Sequence, residues 1–446
     1  MTNPLSSFKL AIVLCGDIAV LYSSLIITLI IRYRSLFYSQ LFDNHLQPFS
    51  VIFAVWILIF YIAGLYDFKS LKNSLSFEKT FWYGISAATL VAALLFYLIP
   101  AFEITPRANL IIFFLIFGTL GYVWRRSYNT LISAKGSARR ILMVGANPAA
   151  EELVEHIGHN PQLGYEIKLW MKEGLTGTDF DRFSRIILEN DINAIVIPAH
   201  IKKDRQAARL IYQALTLNIE VAEISSLYES IFQKVPLAEL EETWFLENLT
   251  RENGAYRIIR NQMETVIALV LSVILLPLLL LIALAVKLTS RGPVIFTQER
   301  IGKSERPFTI YKFRTMRLNA EKEGPQWANY FKDARVTPVG ALLRWSHLDE
   351  LPQLINIIKG DLSFVGPRPE RPEFVSKLRE EIPYYDLRHV VTPGITGWAQ
   401  INFRYAASTI DSYQKFQYDM YYIKNNSPVL DLLIILKTAR FLISNL

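Results

Sequence analysis

Four long apolar runs fill the first 124 residues and constrain the fold more than any other feature of the sequence. They cover residues 10–31, 49–66, 81–102 and 108–124. Each is about as long as a helix must be to cross the roughly 30 Å of hydrocarbon in a bilayer. The first run lacks the small-residue cleavage site of a signal peptide, so we expect it to be retained. The sequence therefore predicts four transmembrane helices over residues 1–134.

The composition agrees with a membrane protein. Of the 446 residues, 52% are hydrophobic and 20% are charged, which is too apolar for an ordinary soluble enzyme. The net charge is +7, but the basic residues are scattered and several flank apolar runs, which favours anionic lipid over nucleic acid as the partner. The single cysteine, Cys15, excludes an intrachain disulfide and a cysteine metal cluster. Any catalytic chemistry would therefore use carboxylates, basic side chains or a hard metal ion.

The basic residues around the four runs predict their orientation, because such residues remain on the cytoplasmic side. Three lie in the loops after the first and third runs: Arg32, Arg34 and Arg107. Nine lie before the first run and after the second and fourth: Lys9, Lys69, Lys72, Lys79, Arg125, Arg126, Lys135, Arg139 and Arg140. The N-terminus and everything after residue 124 are therefore predicted to be cytoplasmic. Asp17, inside the first run, could mark a pathway, but we expect it to be solvated near the cytoplasmic interface.

Residues 135–250 alternate between short β-rich runs and helical runs. The β-rich runs are 141–144, 166–171, 194–197 and 219–224, and the helical runs are 149–157 and 204–217. This alternation is typical of a parallel α/β sheet, and we predict a Rossmann-like α/β module. The turn after the first strand has Gly145 but lacks the other two glycines of a dinucleotide fingerprint. We therefore favour a structural or regulatory module over a nucleotide-binding one.

A fifth apolar run covers residues 266–286 and is long enough to span a bilayer. Both of its flanks are basic, so the positive-inside rule gives it no direction. Pro277 lies near its middle, where proline removes a backbone hydrogen bond and kinks or breaks a helix. We predict a re-entrant hairpin over residues 264–287 that enters one leaflet and returns to the cytoplasm. Residues 413–422 and 429–446 are predicted to form interfacial amphipathic helices.

Two basic segments follow the hairpin. The segment from Lys312 through Arg314 to Arg317 has three cations in six residues, and Asp333-Ala334-Arg335 comes after it. Such clusters suit phosphate or diphosphate, because Lys and Arg form short charge-assisted hydrogen bonds to phosphoryl oxygens. A solvated basic face is the alternative interpretation of the same pattern.

Asp349 and Glu350 are the candidate reactive carboxylates. Leu348, Leu351 and Leu354 surround them at helical spacing, which predicts that the pair lies at an edge facing the core. Adjacent anions need a cation to remain ionised together, and Mg²⁺ binds a few carboxylates together with substrate phosphate oxygens. An ordinary surface pair is the alternative.

A stiff turn follows at residues 360–369, where Arg368 stands between two prolines. This arrangement is suited to presenting a guanidinium to a phosphate or a nucleotide. Arg314 and Arg368 are our candidates for bidentate phosphate contacts. Arg300, Lys312 and Arg335 are further candidates for binding or neutralising the phosphates.

Residues 263–446 resemble the catalytic domain of the bacterial sugar transferases, the monotopic phosphoglycosyl transferases. The resemblance is carried by the Asp349-Glu350 segment and by four further blocks: Lys287 to Gly302, Lys312-Phe313-Arg314-Thr315-Met316, Gly366-Pro367-Arg368-Pro369, and Thr392-Pro393-Gly394-Ile395-Thr396-Gly397-Trp398-Ala399-Gln400. The whole chain is similar to the large subgroup of that family, in which four membrane helices and an α/β module precede the transferase.

The resemblance implies a reaction and a site. Asp349 would be the nucleophile that takes hexose 1-phosphate from a UDP-hexose, releasing UMP and forming a covalent phosphosugar-aspartate. Undecaprenyl phosphate would accept the sugar phosphate in the first step of exopolysaccharide, O-antigen or capsule assembly. Mg²⁺ would be the cofactor, bound by Asp349 and Glu350, although Glu350 could instead manage a proton. A homodimer in the bacterial inner membrane, with its catalytic domain in the cytoplasm, is also implied.

The prediction is a membrane protein of the α plus α/β class. It has a four-helix transmembrane bundle, a Rossmann-like α/β module, and over residues 251–446 a mainly helical monotopic catalytic domain with a re-entrant membrane hairpin. Two other functions remain open at this point. One is a metal-dependent glycosyltransferase that uses Asp349 and Glu350 as metal ligands and releases UDP. The other is an inactive membrane scaffold, against which the intact Asp-Glu pair and basic cluster argue.

Overall fold

The four apolar runs form four long helices, each with a segment long and apolar enough to cross a membrane. They are α1 (Pro4–Tyr33), α2 (Ser39–Ala63), α3 (Leu75–Leu98) and α4 (Arg107–Ser133). The computed structural model describes residues 4–33, 39–67, 71–99, 107–133, 138–175, 179–249, 254–317, 335–403 and 408–445. The chain divides into two compact units, Met1–Ile231 and Phe232–Leu446.

Aromatic side chains fill the core between the four helices. Trp56 of α2 packs edge-on against Phe113 and Phe117 of α4, with ring centroids 5.4 and 5.3 Å apart. Phe49, Phe53 and Phe60 lie on the same face of α2, because residues three or four apart share one side of a helix. The outward faces are also apolar, as is typical of helices in a membrane.

Asp17 is buried, so our expectation of a solvated carboxylate was wrong. Only 1% of Asp17 and 3% of Arg125 are exposed, and the two side chains form a salt bridge between α1 and α4. The hydroxyl of Tyr66 also donates to Asp17, at 2.8 Å. Beside this pair α1 lies close to α4, since a Cβ on Gly16 would come within 2.0 Å of Trp124.

We expect Asp17→Ala to destabilise this unit by about 3–5 kcal/mol, because it leaves Arg125 buried without its counterion. The matched control is Glu78→Ala, whose partner Arg126 is 3.3 Å away on the exposed surface. Exposed pairs contribute at most about 1 kcal/mol. Denaturant or thermal unfolding in detergent measures both variants. Equal losses for the two would contradict a stabilising role for the buried pair.

A four-stranded parallel sheet follows the helices, as the alternating pattern predicted. Its strands are β1 (Arg139–Val144), β2 (Tyr165–Met171), β3 (Ala194–Ile197) and β4 (Glu220–Glu223), in the order β2-β1-β3-β4. The helices of this part are α5 (Pro148–His159), α6 (Phe180–Glu189), α7 (Arg205–Ala214) and α8 (Ile224–Phe232). We did not predict α6. Its two buried residues, Phe183 and Ile187, span only one helical turn, which is too short to reveal a helical period in the sequence.

The second unit begins at Phe232 and so includes residues 232–249, which we had assigned to the α/β module. Val235 and Phe245 are buried in the same core as Trp398. The helices are α9 (Glu242–Leu249), α10 (Gly254–Ile274), α11 (Leu276–Thr289), α12 (Pro338–Trp345), α13 (Leu354–Lys359), α14 (Pro372–Glu381), α15 (Trp398–Asn402), α16 (Thr409–Asn425) and α17 (Pro428–Asn445). The strands are β5 (Ile295–Ile301), β6 (Pro307–Phe313), β7 (Ser363–Val365) and β8 (Gly394–Thr396). The pair β5–β6 is antiparallel and β7–β8 is parallel.

The apolar run of the second unit is broken, as Pro277 predicted. The axes of α10 and α11 differ by 64° at Leu275. Pro277 is the second residue of α11, where its missing N–H is tolerated because the first turn of a helix has no intrahelical acceptor for it. One long apolar segment thus becomes two straight helices.

The interfacial location predicted for residues 413–422 was wrong. Phe416, Met420 and Tyr422 of α16 are buried in the core of the unit. A pattern rich in aromatic residues suits both a membrane interface and a protein core, and the pattern alone did not distinguish them. In α17, Ile434 is buried whereas Val429 is 75% exposed. The last helix therefore keeps an exposed apolar face.

Candidate active site

Asp349 and Glu350 lie on a short 3₁₀ helix, Leu348–Gln353, directly after α12. His347 turns the chain with a left-handed φ of 56°. Pro352 lies inside the 3₁₀ helix and has no N–H to donate, so the segment cannot form regular α-helical hydrogen bonds. The tight turn projects two adjacent carboxylates from one short segment.

The apolar stripe predicted around these carboxylates contacts both helices of the broken run. Leu348 and Leu351 pack on the cluster that contains Val286 of α11. Leu354 belongs to the buried cluster that contains Ala268 of α10. The three leucines therefore hold the carboxylate turn against α10 and α11 together.

Two cations bind Glu350. The ammonium of Lys312, on β6, donates to Oε1 of Glu350 at 2.6 Å, and the guanidinium of Arg368 donates to the same oxygen at 3.2 Å. Lys312 and Glu350 are largely buried, whereas Arg368 is 40% exposed. The structure thus brings together three of the predicted site residues.

Electrostatics keep Glu350 ionised. Burial favours its neutral form, but Lys312 and Arg368 outweigh burial and hold the pKa of Glu350 well below its usual range. Burial lowers the pKa of Lys312, an effect that Glu350 partly offsets. Glu350 is therefore not suited to exchange a proton near neutral pH and acts as a fixed charge.

Asp349 has the opposite environment. It is 9% exposed, and no hydrogen bond or salt bridge from the described residues reaches its carboxylate. Burial, together with the nearby charge of Glu350, raises its pKa, against the opposing influence of Lys312, Arg344 and His347. Glu350 is therefore neutralised, whereas Asp349 has no hydrogen-bond or ion-pair partner in the part of the chain that the structure describes. We did not predict Arg344 or His347 as site residues, although both lie in the same sequence block.

Close backbone packing positions the turn that carries Arg368. The N–H of Gly366 donates to Thr396 at 2.8 Å, and the N–H of Gly394 donates to Pro367 at 2.9 Å. A Cβ on Gly394 would come within 2.1 Å of the Gly366 nitrogen. Two of the sequence blocks named above therefore fit together because each has a glycine at the contact.

A buried arginine supports the same turn. Arg388 donates to the Arg368 carbonyl and to Oδ2 of Asp419, both at 3.0 Å. Arg388 also lies 4.0 Å from the Glu370 carboxylate. Sequence reasoning missed this network, because its members are separated by up to 51 residues and belong to no recognisable motif.

The remaining predicted cations occupy different positions. Arg300 donates to the Pro369 carbonyl at 3.1 Å, and burial lowers its pKa to about 10. Arg314 is buried and donates to Ser290 just after α11, at 2.9 Å to the carbonyl and 2.7 Å to the hydroxyl. Its Nε and one terminal nitrogen have no hydrogen-bond partner among the described residues. The carbonyl of Arg335 accepts a bond from Arg317, and Asp333 and Ala334 lie outside the described residues.

Another group of potential metal ligands lies elsewhere in the unit. Single ligand atoms of Glu305, Asp386 and His389 lie within 4.8 Å of one another. However, Arg379 pairs with Glu305 at 2.9 Å and with Asp386 at 2.6 Å, so both carboxylates already have a cation. Burial lowers the pKa of His389 to about 4. We regard this group as an ion-pair cluster.

The second unit matches a family model described as bacterial sugar transferase, over residues 255–445. All the site residues described above fall within this span.

Named relatives are similar over longer regions. The chain is 39% identical over 266 residues to UDP-N-acetylgalactosamine-undecaprenyl-phosphate N-acetylgalactosaminephosphotransferase of Aeromonas hydrophila, which covers 58% of this chain and 62% of that protein. It is 34% identical over 345 residues to UDP-glucose:undecaprenyl-phosphate glucose-1-phosphate transferase of Klebsiella pneumoniae, covering 73% and 70%. The protein of the same name from Escherichia coli (strain K12) is 31% identical over 330 residues, covering 72% and 70%. The chain thus spans between 62% and 70% of the length of these relatives.

Proposed function

Because the chain belongs to the bacterial sugar transferase family, we propose that it is a polyprenyl-phosphate sugar-1-phosphate transferase. The donor is a UDP-hexose, the acceptor is undecaprenyl phosphate, and the reaction begins exopolysaccharide or O-antigen assembly. The observation that carries this proposal is the contrast within the site. Asp349 is a buried carboxylate with no salt bridge to any described residue, and it lies beside Glu350, which is fixed by Lys312 and Arg368.

The proposed chemistry has two displacements at one phosphorus atom. A carboxylate oxygen of Asp349 attacks the phosphorus that bears the sugar, the bond to the bridging oxygen breaks, and UMP leaves. An oxygen of undecaprenyl phosphate then attacks the same phosphorus and displaces the Asp349 carboxylate, giving a polyprenyl diphosphate sugar. A carboxylate that accepts no hydrogen bond from the described residues is well suited to the first attack.

The cations around Asp349 stabilise the charge that develops on the phosphoryl oxygens. Arg368 is 40% exposed and can contact a diphosphate while it remains close to Glu350. Arg314, which is bonded to Ser290, has two nitrogens with no hydrogen-bond partner among the described residues and is a further potential donor. Glu350 keeps Lys312 and Arg368 in position and balances their charge, so that the empty site is not a cluster of unpaired cations.

Mg²⁺ is part of the proposal. The residues fit this ion, because Asp349 is a buried carboxylate with a raised pKa, and a divalent cation would favour its ionised form. Asp349 and the free oxygen of Glu350, together with the substrate phosphates, give the donor set that Mg²⁺ prefers. When bound, Mg²⁺ supplies charge neutralisation for the diphosphate.

We also propose that α10 and α11 form a re-entrant hairpin. At about 1.5 Å per residue, the apolar arms on either side of the 64° bend are each roughly 20 Å long. The bend then lies about 11 Å from the line that joins their ends, within a leaflet of about 15 Å. Both arms lie against the same part of the domain, because Ala268 of α10 and Val286 of α11 belong to the clusters in which the leucines of the carboxylate turn pack. This supports a return to the cytoplasmic side.

Cysteine accessibility tests the hairpin. In a Cys15→Ser background we expect Arg257→Cys and Lys287→Cys, both at exposed positions, to resist an impermeant thiol reagent applied from the periplasm. Both should react once the membrane is opened. Tyr33→Cys, at the end of α1, is the positive control and should react from the periplasm. Periplasmic labelling of position 287 but not of position 257 would mean that the segment crosses the bilayer.

The leaving nucleotide tests the proposed reaction. The purified full-length protein, supplied with undecaprenyl phosphate, Mg²⁺ and a panel of UDP-hexoses, should release UMP with at least one donor. Release of UDP instead would mean transfer of the sugar without its phosphate, which is the glycosyltransferase alternative. The same panel identifies the hexose, and omission of Mg²⁺ with a chelator present should stop turnover.

A further inference from the structure

A polar cavity of about 310 Å³ lies in the second unit, near the starts of α10 and α17. Tyr256 and Lys424 line it, together with the Asn426-Ser427-Pro428 connection between α16 and α17. A narrower crevice shares Tyr256 and Asn426 and continues along α10 past Arg257 and Lys303. Asp349, Glu350, Lys312 and Arg368 line neither space, so the cavity is separate from the candidate active site.

The cavity and the adjoining crevice together have a basic lining. Lys424 lines the cavity and Arg257 and Lys303 line the crevice, and the described lining residues of the two spaces include no Asp or Glu. The acids behind the cavity are already paired. Arg260 lies 3.1 Å from Glu264 and 3.2 Å from Asp431. The side-chain amides and the Ser427 hydroxyl of the lining add neutral hydrogen-bonding groups, whereas the Tyr256 hydroxyl already donates to Asp431. Cations and neutral polar groups together suit a phosphate ester.

The rim of the cavity is apolar and exposed. Val390 lines the cavity and is itself exposed. On α17, Val429 and Leu432 follow directly after the lining residues, and on α10 Ile258 and Ile259 follow Arg257. The α10 residues continue into the proposed membrane hairpin. A ligand that matches both parts has a phosphate at one end and hydrocarbon at the other.

We propose that this cavity binds the phosphate of an anionic phospholipid from the surrounding leaflet, with the acyl chains lying along α10 and α17. The inference rests on the membrane placement of α10 proposed above. Undecaprenyl phosphate has related chemistry, but its phosphate must reach Asp349, which does not line the cavity. Basic pockets at the cytoplasmic side of membrane helices are suited to such headgroups.

The test uses the full-length protein in nanodiscs of phosphatidylcholine with increasing phosphatidylglycerol, and native mass spectrometry counts the phosphatidylglycerol retained. We expect Lys424→Gln to raise the mole fraction needed for half-maximal retention roughly five-fold, the effect of one basic residue near a membrane surface. Lys303→Gln should act in the same direction. The matched control is Lys359→Gln, because Lys359 lies 4.8 Å from the Tyr311 ring, much as Lys424 lies 4.7 Å from Trp244, but outside the cavity.

Other outcomes would overturn the inference. Equal retention by wild type, both cavity variants and Lys359→Gln would mean general surface attraction. If inorganic phosphate stabilised the protein in phosphatidylcholine discs as much as phosphatidylglycerol does, the cavity would be a site for soluble anions. Displacement of phosphatidylglycerol by an equal amount of undecaprenyl phosphate would make it an acceptor site. UMP release in the same discs separates the two proposals, because release without lipid selectivity overturns only the lipid site.

Discussion

Asp349→Asn should abolish UMP release and leave the protein at least as stable as the wild type. The substitution keeps the shape of the side chain but removes the attacking oxygen, so we expect a loss of at least about 10³-fold in turnover. The wild-type carboxylate is buried and has no salt bridge to a described residue, and its raised pKa means that ionisation opposes folding. An amide removes that cost. Turnover is measured as UMP release, and stability as the thermal midpoint in the same detergent.

The matched control is Asp386→Asn, at a carboxylate that pairs with Arg379 on the surface of the same unit. It should retain turnover. A labelled UDP-hexose should also leave a covalent adduct on the wild type and on the control, but not on Asp349→Asn. Turnover by Asp349→Asn at near wild-type rate would reject Asp349 as the nucleophile.

Glu350→Gln should have the opposite effect on stability. It leaves Lys312 buried without its counterion, which costs about 3–5 kcal/mol in comparable buried pairs. Turnover should also fall steeply, because Lys312 and Arg368 lose the group that holds them. Glu381→Gln is the control, since its pair with Lys377 is 3.8 Å long and exposed. Its expected cost is at most about 1 kcal/mol.

The pH dependence of stability shows whether Glu350→Gln acts through the lost charge or through a general loss of packing. The pKa of Glu350 is lowered by folding, so its contribution to stability is present above the unfolded value of about 4.5 and is lost as the pH falls below it. The difference in stability between wild type and Glu350→Gln should therefore shrink in acid. A difference that stays constant from neutral pH to about pH 3 would mean that the charge of Glu350 is not what stabilises the site.

Patterns along the chain predicted the elements and the place of the site. The strand Ala194–Ile197 was predicted with its observed bounds, because a short apolar run between helical patterns has few alternatives. The leucines around Asp349 predicted that the carboxylate pair lies at an edge facing the core. Local periodicity was enough to predict an element wherever its buried residues are close in sequence and share one face.

Pairings between distant residues could not be predicted in this way. Asp17 finds Arg125, which is 108 residues away, and nothing near Asp17 distinguishes a paired carboxylate from a solvated one. Similarly, the adjacency of Asp349 and Glu350 predicted one shared cation. That adjacency did not predict the contrast within the pair, in which Lys312 and Arg368 donate to Glu350. The direction of each carboxylate depends on the geometry of the 3₁₀ turn that contains Pro352. The number and spacing of charged residues in the sequence do not give that direction.

Leu348, Leu351 and Leu354 pack in clusters that also contain residues of α10 and α11, so the proposed hairpin would hold the carboxylates at one height relative to the bilayer. A lipid acceptor then meets them by diffusion in two dimensions, and its encounter rate depends on its surface density. Diluting undecaprenyl phosphate with inert lipid should therefore slow turnover. Adding buffer to the same vesicles should leave the acceptor dependence unchanged. For the proposed reaction, the Michaelis constant for the acceptor is then expressed as a mole fraction of the membrane, and that for the nucleotide sugar as a concentration in water.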